Sequence, residues 1–474
     1  MRGTSVALLA VVLAMGAVVS AASCTPPHAA SEASPDASTS PAFTQPPVAA
    51  IGIPGEDLGT QRDAGAVEVR YADGRRQILF PSAYRAGDHF GAATAVVEID
   101  GDAYPDLVVG APGRDVGGVP DAGAVFLYRG SAKGFRPWRV LVQGSGGVPG
   151  SAQAGAGFGA VISAYGDQTA ALAVGMPRWD TGGAVDAGAV VLLTLTRSAS
   201  PQVSGTLLTE GSAGLPGTPE SGDLLGAALD GDRAFGAPGK TVNGARGAGA
   251  VYVRLDPDAA SYTMITQDTP GMPGAAEPGD GFGSAVVQAA PFGLWIGVPG
   301  EDLGDTTDAG MVNTFGDVDE DGVPREPGPS YTQNSRGVAG VPEPGDRFGT
   351  ALARYAPGEQ SDADVVLVGV PGEDIGSIRD AGMVDELWTD GVALTQARTA
   401  GTEEPGDRFG STLVAGSFFD ADPRPRIIVG APGEDAGAGA VVVVYGSTAV
   451  IWKQTTGTPE HRDGYGTSVA ARLG

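Results

Sequence analysis

The sequence predicts an all-β fold, a seven-bladed β-propeller whose ring is closed by the two ends of the chain. Two short phrases each occur seven times within residues 48–474. Their spacing of roughly 60 residues is typical of propellers, solenoids and arrays. The chain is 42% hydrophobic yet contains 77 Gly and 36 Pro, as expected for many short strands joined by tight turns.

The first phrase places two glycines around a large apolar residue and continues as an alternating strand. Its copies are GDHFGAATAVV (87–97), GAGFGAVISA (155–164), GDLLGAAL (222–229), GDGFGSAVV (279–287), GDRFGTALA (345–353), GDRFGSTLVA (406–415) and DGYGTSVAA (463–471). Glycine permits the close backbone approach and the positive φ that such turns require. Each copy therefore predicts the first strand of a blade.

The second phrase is an apolar strand that ends in Gly-small-Pro, followed by a loop and a further strand. Its prolines are Pro54, Pro112, Pro177, Pro238, Pro299, Pro371 and Pro432. Proline cannot donate to a central ladder, so it ends the strand. A more variable segment follows, such as WRVLVQ (138–143) or YTMITQ (262–267). Four antiparallel strands per unit make one propeller blade.

The two ends of the repeat region complement each other. The first unit begins at VAAIGIPGED (48–57) and lacks the first phrase, whereas the last unit, RDGYGTSVAARL (462–473), contains nothing else. We therefore expect the last strand to dock as the innermost strand of the first blade, which removes an open sheet edge. The alternative is two frayed partial repeats.

Together the two phrases resemble the FG-GAP repeats of the integrin alpha-subunit propeller, and the resemblance covers residues 48–474. It implies a cell-surface binding or adhesion module with calcium in a structural role. Integrin signalling is not implied, because the chain lacks the other integrin domains. Function does not follow from fold alone.

The N-terminal segment reads as an export signal. Residues 1–23 contain an apolar run at 6–22 of the length found in signal peptides, with a membrane anchor as the alternative. SAASC (20–24) resembles a bacterial lipoprotein cleavage box, apart from Ala21, and predicts that Cys24 carries a lipid. Simple cleavage nearby is the alternative. Residues 24–47 predict a disordered tether, which places the protein on the outer face of the cell membrane or at the cell surface.

The formal net charge of −27 bears on the partners. Such a chain repels nucleic acid and anionic membrane surfaces, so contact with a membrane is expected through the lipid anchor only. The expected partners of the propeller, which we take to be a monomer, are cations and an extracellular protein or glycan that is basic.

The resemblance places the loops after Gly-small-Pro on the upper rim of the propeller. Their aspartates either cap turns, as in Asx-turns, or create a negative potential for a ligand. An exposed basic sector with Arg178, Trp179, Lys240 and Arg246 interrupts the acidic rim, and Trp179 can equally pack against a neighbouring loop. The candidate ligand-binding residues are Trp179, Arg178, Glu301, Asp302, Glu373 and Asp374.

The hairpin EIDGDAYPD (98–106) predicts a calcium site. Its oxygen ligands would be Glu98, Asp100, Asp102, the carbonyl of Tyr104, and Asp106, at a spacing that wraps oxygens around one point. The hairpin looks like the calcium hairpin of FG-GAP blades, although Glu98 replaces the usual Asp and Ala103 the usual Gly. A solvated acidic hairpin is the alternative.

A second acidic loop, DVDEDGVPRE (317–326), has an EF-hand-like start. Asp317, Asp319 and Asp321 are its candidate calcium ligands, but no Glu closes the loop.

Enzyme activity is not expected. Of the three histidines, only His89 and His461 lie in the propeller, and neither has a context typical of a catalytic base. The nucleophile, zinc-binding and phosphate-binding motifs are absent. A carboxylate-based extracellular hydrolase that uses the propeller funnel remains the alternative.

Overall fold

The computed structural model describes residues 47–71, 74–166, 170–256, 259–316, 326–357, 361, 363–387, 391–399, 401–416, 426–445, 448–454 and 463–471. In this part of the chain the strands form seven antiparallel sheets of four strands each. Two four-residue helices, α1 (Gln396–Thr399) and α2 (Glu434–Gly437), are the helical elements there. The predicted seven-bladed propeller is confirmed.

The blades follow one another along the chain, and each orders its strands as the chain does. Blade 1 contains β1 (Pro47–Ile53), β2 (Ala66–Tyr71) and β3 (Arg76–Leu79); blade 2 contains β4 (Ala93–Val97), β5 (Asp106–Ala111), β6 (Ala124–Arg129) and β7 (Arg136–Leu141); blade 3 contains β8 (Val161–Tyr165), β9 (Ala170–Met176), β10 (Ala189–Leu195) and β11 (Val203–Leu208).

The same pattern continues through the second half of the ring. Blade 4 contains β12 (Ala228–Asp230), β13 (Ala234–Ala237), β14 (Ala250–Val253) and β15 (Thr263–Ile265); blade 5 contains β16 (Ala285–Ala289), β17 (Gly293–Val298), β18 (Met311–Phe315) and β19 (Pro327–Tyr331); blade 6 contains β20 (Ala351–Tyr355), β21 (Val365–Val370), β22 (Met383–Leu387) and β23 (Val392–Leu394); blade 7 contains β24 (Thr412–Gly416), β25 (Arg426–Ala431), β26 (Ala440–Tyr445) and β27 (Thr448–Lys453).

The last strand, β28 (Val469–Ala470), belongs to blade 1 and closes the ring. It pairs antiparallel with β1, with Val469 opposite Ile51. The backbone N–H of Gly52 donates to the Ser468 carbonyl at 2.8 Å. β28 also contacts β4 and β24, the first strands of blades 2 and 7. The predicted closure by the C-terminal strand is therefore confirmed.

The core lies between neighbouring blades, and the large residue of the first phrase is its centre. These residues are fully buried: Phe90, Phe158, Leu225, Phe282, Phe348, Phe409 and Tyr465. Phe158 of blade 3 donates its backbone N–H to Ala122 of blade 2. A Cβ on Gly123 would lie 2.2 Å from the backbone nitrogen of Phe158, so this approach requires glycine.

Alternating strand direction decides which loops share a face. The loops between second and third strands lie at the same end of the blades as the connections that enter the next blade. We call this end the loop face. The hairpin at residues 98–106 joins the first and second strands of blade 2, so it lies at the opposite end. No helix in the described residues is long and apolar enough to cross a membrane.

Candidate functional site

The hairpin between β4 and β5 brings three of its five predicted ligands together. Glu98, Asp100 and Asp106 each offer a carboxylate oxygen, and these atoms lie within 4.8 Å of one another. Asp102 and Tyr104 are exposed and lie outside this group. Carboxylate oxygens are the ligands that calcium prefers, so the chemistry of the three residues fits that ion.

The hairpin's backbone holds the carboxylates in place. Glu98 Oε1 accepts from Gly101 N–H at 2.7 Å, and Asp100 Oδ1 accepts from Asp102 N–H at 3.0 Å. Asp102 Oδ1 in turn accepts from Tyr104 N–H at 2.7 Å. The last two bonds are Asx-turns, in which an acid bonds the backbone two residues on. The acidic spacing therefore also shapes the turn.

Asp106 is fully buried and also anchors the strand. Its two oxygens accept the N–H groups of Ile99 and Gly130, each at 2.9 Å. Burial raises the pKa of Asp106 to about 7, and these bonds oppose the shift. Burial also raises the pKa of Glu98. A bound cation would stabilise the charged form of both groups.

Arg129 supplies positive charge to the same hairpin. Its Nε lies 2.7 Å from Asp100 Oδ2, and its guanidinium lies 4.3 Å from the ring centre of Trp138. A calcium ion that used this Asp100 oxygen would therefore compete with an arginine held by an aromatic face.

On the loop face, five of the loops contain two aspartates that have different structural roles. Asp57 Oδ1 accepts the backbone N–H of Asp63 at 2.8 Å. The same bond joins Asp115 to Asp121, Asp180 to Asp186, Asp302 to Asp308 and Asp374 to Asp380. The first aspartate is the turn cap, as expected. The second is not a cap in this bond, because it supplies the N–H.

The second aspartate occupies a left-handed backbone conformation instead. Its φ lies between 48° and 54° at Asp63, Asp121, Asp186, Asp308 and Asp380. Gly247 takes this position in blade 4 with a φ of 72°, and Asn243, four residues earlier in the same loop, also has a positive φ of 50°. Asp and Asn tolerate this region better than other residues with a Cβ. This preference explains why Asp precedes Ala-Gly.

The glutamates of the Glu-Asp pairs lie between blades. Glu301 and Glu373 are each only 8% exposed and accept hydrogen bonds from Gln267 Nε2 and Gln333 Nε2, both at 2.6 Å. Glu434 and Glu56 make the same contact with Gln396 and Gln454. Each glutamine follows the outer strand of the preceding blade. The interfaces are thus joined by buried Gln–Glu bonds.

The candidate ligand-binding residues therefore differ in their access to solvent. Trp179 is 9% exposed, so it packs inside the protein as the alternative expectation held. Arg178 and Asp302 are exposed, and Asp374 is half-buried. Of the six candidates, these three reach the surface.

Two interfaces replace the Gln–Glu bond with an ion pair. Lys240 Nζ lies 2.6 Å from Glu210 and 2.9 Å from Asp223, and all three side chains are buried. Arg114 lies 2.6 Å from Asp88. Sequence reasoning assigned Lys240 to an exposed basic sector and missed these pairs. The sequence feature that could have revealed these contacts is a Gln or Glu shortly after the outer strand, as in TQ (266–267) and TE (209–210).

Several sequence predictions lie outside the described residues. They concern the signal peptide at 1–23, most of the tether at 24–47, Cys24, His461, and the second acidic loop with Asp317, Asp319 and Asp321. The other propeller histidine, His89, is half-buried, and its Nδ1 lies 3.3 Å from the Pro54 carbonyl oxygen.

Comparison with known families agrees with this architecture. Residues 90–128 match the FG-GAP repeat. The chain contains an FG-GAP repeat. The match runs from Phe90, the central residue of a first phrase, to Tyr128 in β6, and it includes the acidic hairpin. A search of curated proteins found none that matches the chain. The FG-GAP match and the seven blades are consistent with a propeller like that of integrin alpha subunits.

Proposed function

We propose that this FG-GAP propeller is an exported cell-surface adhesion module that binds a basic extracellular protein or glycan on its loop face. One observation supports this proposal above all. Asp63, Asp115, Asp121, Asp302, Asp308 and Asp380 are exposed there, and no ion pair within the described residues neutralises them. Uncompensated charge on one face attracts oppositely charged partners and accelerates their association.

Calcium has a structural role in this proposal. Glu98, Asp100 and Asp106 would hold the ion at the end opposite the loop face, so it would strengthen blade 2 without occupying the ligand surface. At about 100 times its dissociation constant, calcium would add about 2.7 kcal/mol to the free energy of unfolding. A melting temperature that EDTA leaves unchanged would contradict this role.

Lipidation of Cys24 and the tether at 24–47 would present the propeller outside the cell membrane. One variant tests this part of the proposal. Cys24→Ser should leave export intact but release the protein from the membrane fraction, whereas retention of the variant would contradict the lipid anchor.

The binding surface can be tested without disturbing the fold. The quadruple variant Asp63→Asn, Asp121→Asn, Asp308→Asn and Asp380→Asn removes four charges and introduces a residue type that tolerates positive φ, as Asn243 does at another position of the blade 4 loop. We expect it to lose salt-dependent binding to an immobilised lysine-rich peptide. It should also capture less of any partner from native cell-envelope extract.

The matched control carries Asp102→Asn, which removes an exposed charge from the opposite end. Its binding should equal that of the unaltered protein. Equal binding by the quadruple variant would refute the loop face as the ligand surface.

A further inference from the structure

The interface between blades 5 and 6 contains three buried carboxyl groups. Asp346 lies in the connection that enters blade 6, Glu373 in the loop after β21, and Asp385 in β22. Their exposed fractions are 1%, 8% and 1%. We call these three residues the carboxyl cluster.

The carboxyl cluster receives few hydrogen bonds. Gln333 donates to Glu373, and the backbone N–H of Glu343 donates to Asp346, both at 2.6 Å. The N–H of Ala339 donates to Asp385 at 3.2 Å. Asp385 Oδ2 and Gln333 Oε1 are buried without a hydrogen-bond partner. Fully ionised carboxylates in this position would be poorly solvated, which is costly in a protein interior.

No cation compensates the cluster in the described residues. The charged side chains of the surrounding loops are Glu343, Asp374 and Asp380, and the arginines Arg336, Arg347 and Arg379. Those arginines are exposed, and none forms an ion pair with the three carboxyl groups. On β22 the next residue, Glu386, faces the other side of the sheet and bonds Tyr355. The neighbouring charges that act most strongly on Asp346 and Glu373 are therefore those of other acidic groups.

Other interfaces of the same ring show how this charge is otherwise balanced. Lys240 neutralises Glu210 and Asp223 between blades 3 and 4. Between blades 4 and 5, Glu301 and Asp280 remain, but Asn313 stands where blade 6 has Asp385. Asn313 donates from Nδ2 to the Pro273 carbonyl at 2.9 Å. The interface between blades 5 and 6 has one more carboxyl group and no such donor at that position.

We propose that the carboxyl cluster is a pH-sensitive latch: it retains a proton near neutral pH, and loss of that proton loosens the contact between blades 5 and 6. A proton retained on one of the three carboxyl groups removes one negative charge from a buried interface and supplies a hydrogen-bond donor. Ionisation of all three groups would instead create repulsion that these surroundings cannot screen.

Burial is the main cause of the expected titration. It raises the pKa of Glu373 to about 8, of Asp385 to about 7 and of Asp346 to about 6. A carboxyl group with a raised pKa in the folded state stabilises the fold fully below its unfolded pKa. That stabilisation is lost as pH rises through the folded pKa. The latch therefore weakens between about pH 4 and about pH 8.

Hydrogen exchange of the full-length protein tests the latch where it acts. Protection factors are measured for the N–H groups of Ala339 and Glu343, which donate to the cluster. In the unaltered protein we expect them to fall with rising pH, by up to about tenfold per pH unit for each proton released. In the double variant Asp385→Asn/Glu373→Gln this fall should flatten, because two titrating groups are gone.

An infrared measurement and an exposed control variant make the result decisive. The unaltered protein at neutral pH should show an infrared band of protonated carboxyl groups that weakens in Asp385→Asn, a change that Asn313 shows the fold to accept in blade 5. Asp305→Asn, an exposed control, should leave both the infrared band and the exchange unchanged. Protection independent of pH, or equal pH dependence in the double variant, would overturn the latch. So would restoration of protection by calcium at high pH, which would make the cluster a cation site.

Discussion

At the scale of single residues, aspartate has different structural roles in different backbone positions. Asp57 caps a turn, Asp63 adopts positive φ, and Asp88 accepts the N–H of Arg85 three residues earlier. The sequence predicts that these aspartates shape turns, because Asp commonly bonds nearby backbone groups. It could not separate the tasks of Asp57 and Asp63, since these depend on which residue of the loop supplies the N–H.

Asp106 shows the same limit at the acidic hairpin. Its spacing predicts a calcium ligand, but spacing does not reveal the two N–H groups that its carboxylate also holds. Asp106→Ala would leave Ile99 and Gly130 with buried, unpaired donors. We expect a loss of about 1–3 kcal/mol for each donor in urea unfolding, with calcium removed by EDTA.

Asp102→Ala is the matched change, because Asp102 is exposed and belongs to the same hairpin. Its cost should stay within about 0.5 kcal/mol in EDTA. If Asp106→Ala proved equally mild under these conditions, Asp106 would lack the structural role assigned to it here.

At the scale of strands and loops, sequence patterns were most informative where residues alternate or stop abruptly. Strand ends at proline, as in DLVVGAP (106–112), and the Ala-Gly before the third strand predicted the blades, because these signals are local. The pairing of an outer-strand Gln with the next blade's Glu was not predicted. In the example of Gln267 and Glu301, the two residues are 34 positions apart in the sequence and come into contact only when the blades pack together.

The interface between blades 3 and 4 allows this pairing to be tested. Lys240→Met should cost about 3–5 kcal/mol in urea unfolding, because Glu210 and Asp223 would remain as buried charges without their cation. The double variant Glu210→Gln/Lys240→Glu recreates the Gln267–Glu301 arrangement of the next interface. We expect it to be more stable than Lys240→Met despite carrying two changes.

The double variant should also become sensitive to pH, because Asp223 would then face a buried Glu, as Asp280 faces Glu301. Burial there raises the pKa of Asp280 to about 7, so the double variant should lose stability as pH rises toward that value. A double variant no more stable than Lys240→Met would show that the Gln–Glu bond does not transfer between interfaces.

At the scale of the whole molecule, counting the copies of the two phrases predicts both the number of blades and the closure of the ring. Seven copies of each phrase, with one split between the chain ends, define a ring. The count could not show that the interfaces differ chemically, with Arg114 and Lys240 in two of them and a third carboxyl group, Asp385, in another. These differences arise from single residues within otherwise similar loops, so repetition of the phrase conceals them.

Closure by β28 makes the stability of the ring depend on its last residues. Deleting residues 463–474 removes Tyr465 and Val469, both fully buried, and leaves β1 with an unpaired edge. Burial of a side chain such as Val469 contributes about 1.5–3 kcal/mol, and free edges promote association between chains. We expect a lower melting temperature in calorimetry and aggregates in light scattering. Deletion of 472–474 alone, which leaves β28 intact, should change neither, and equal behaviour of the two truncations would mean that the strand does not hold the ring closed.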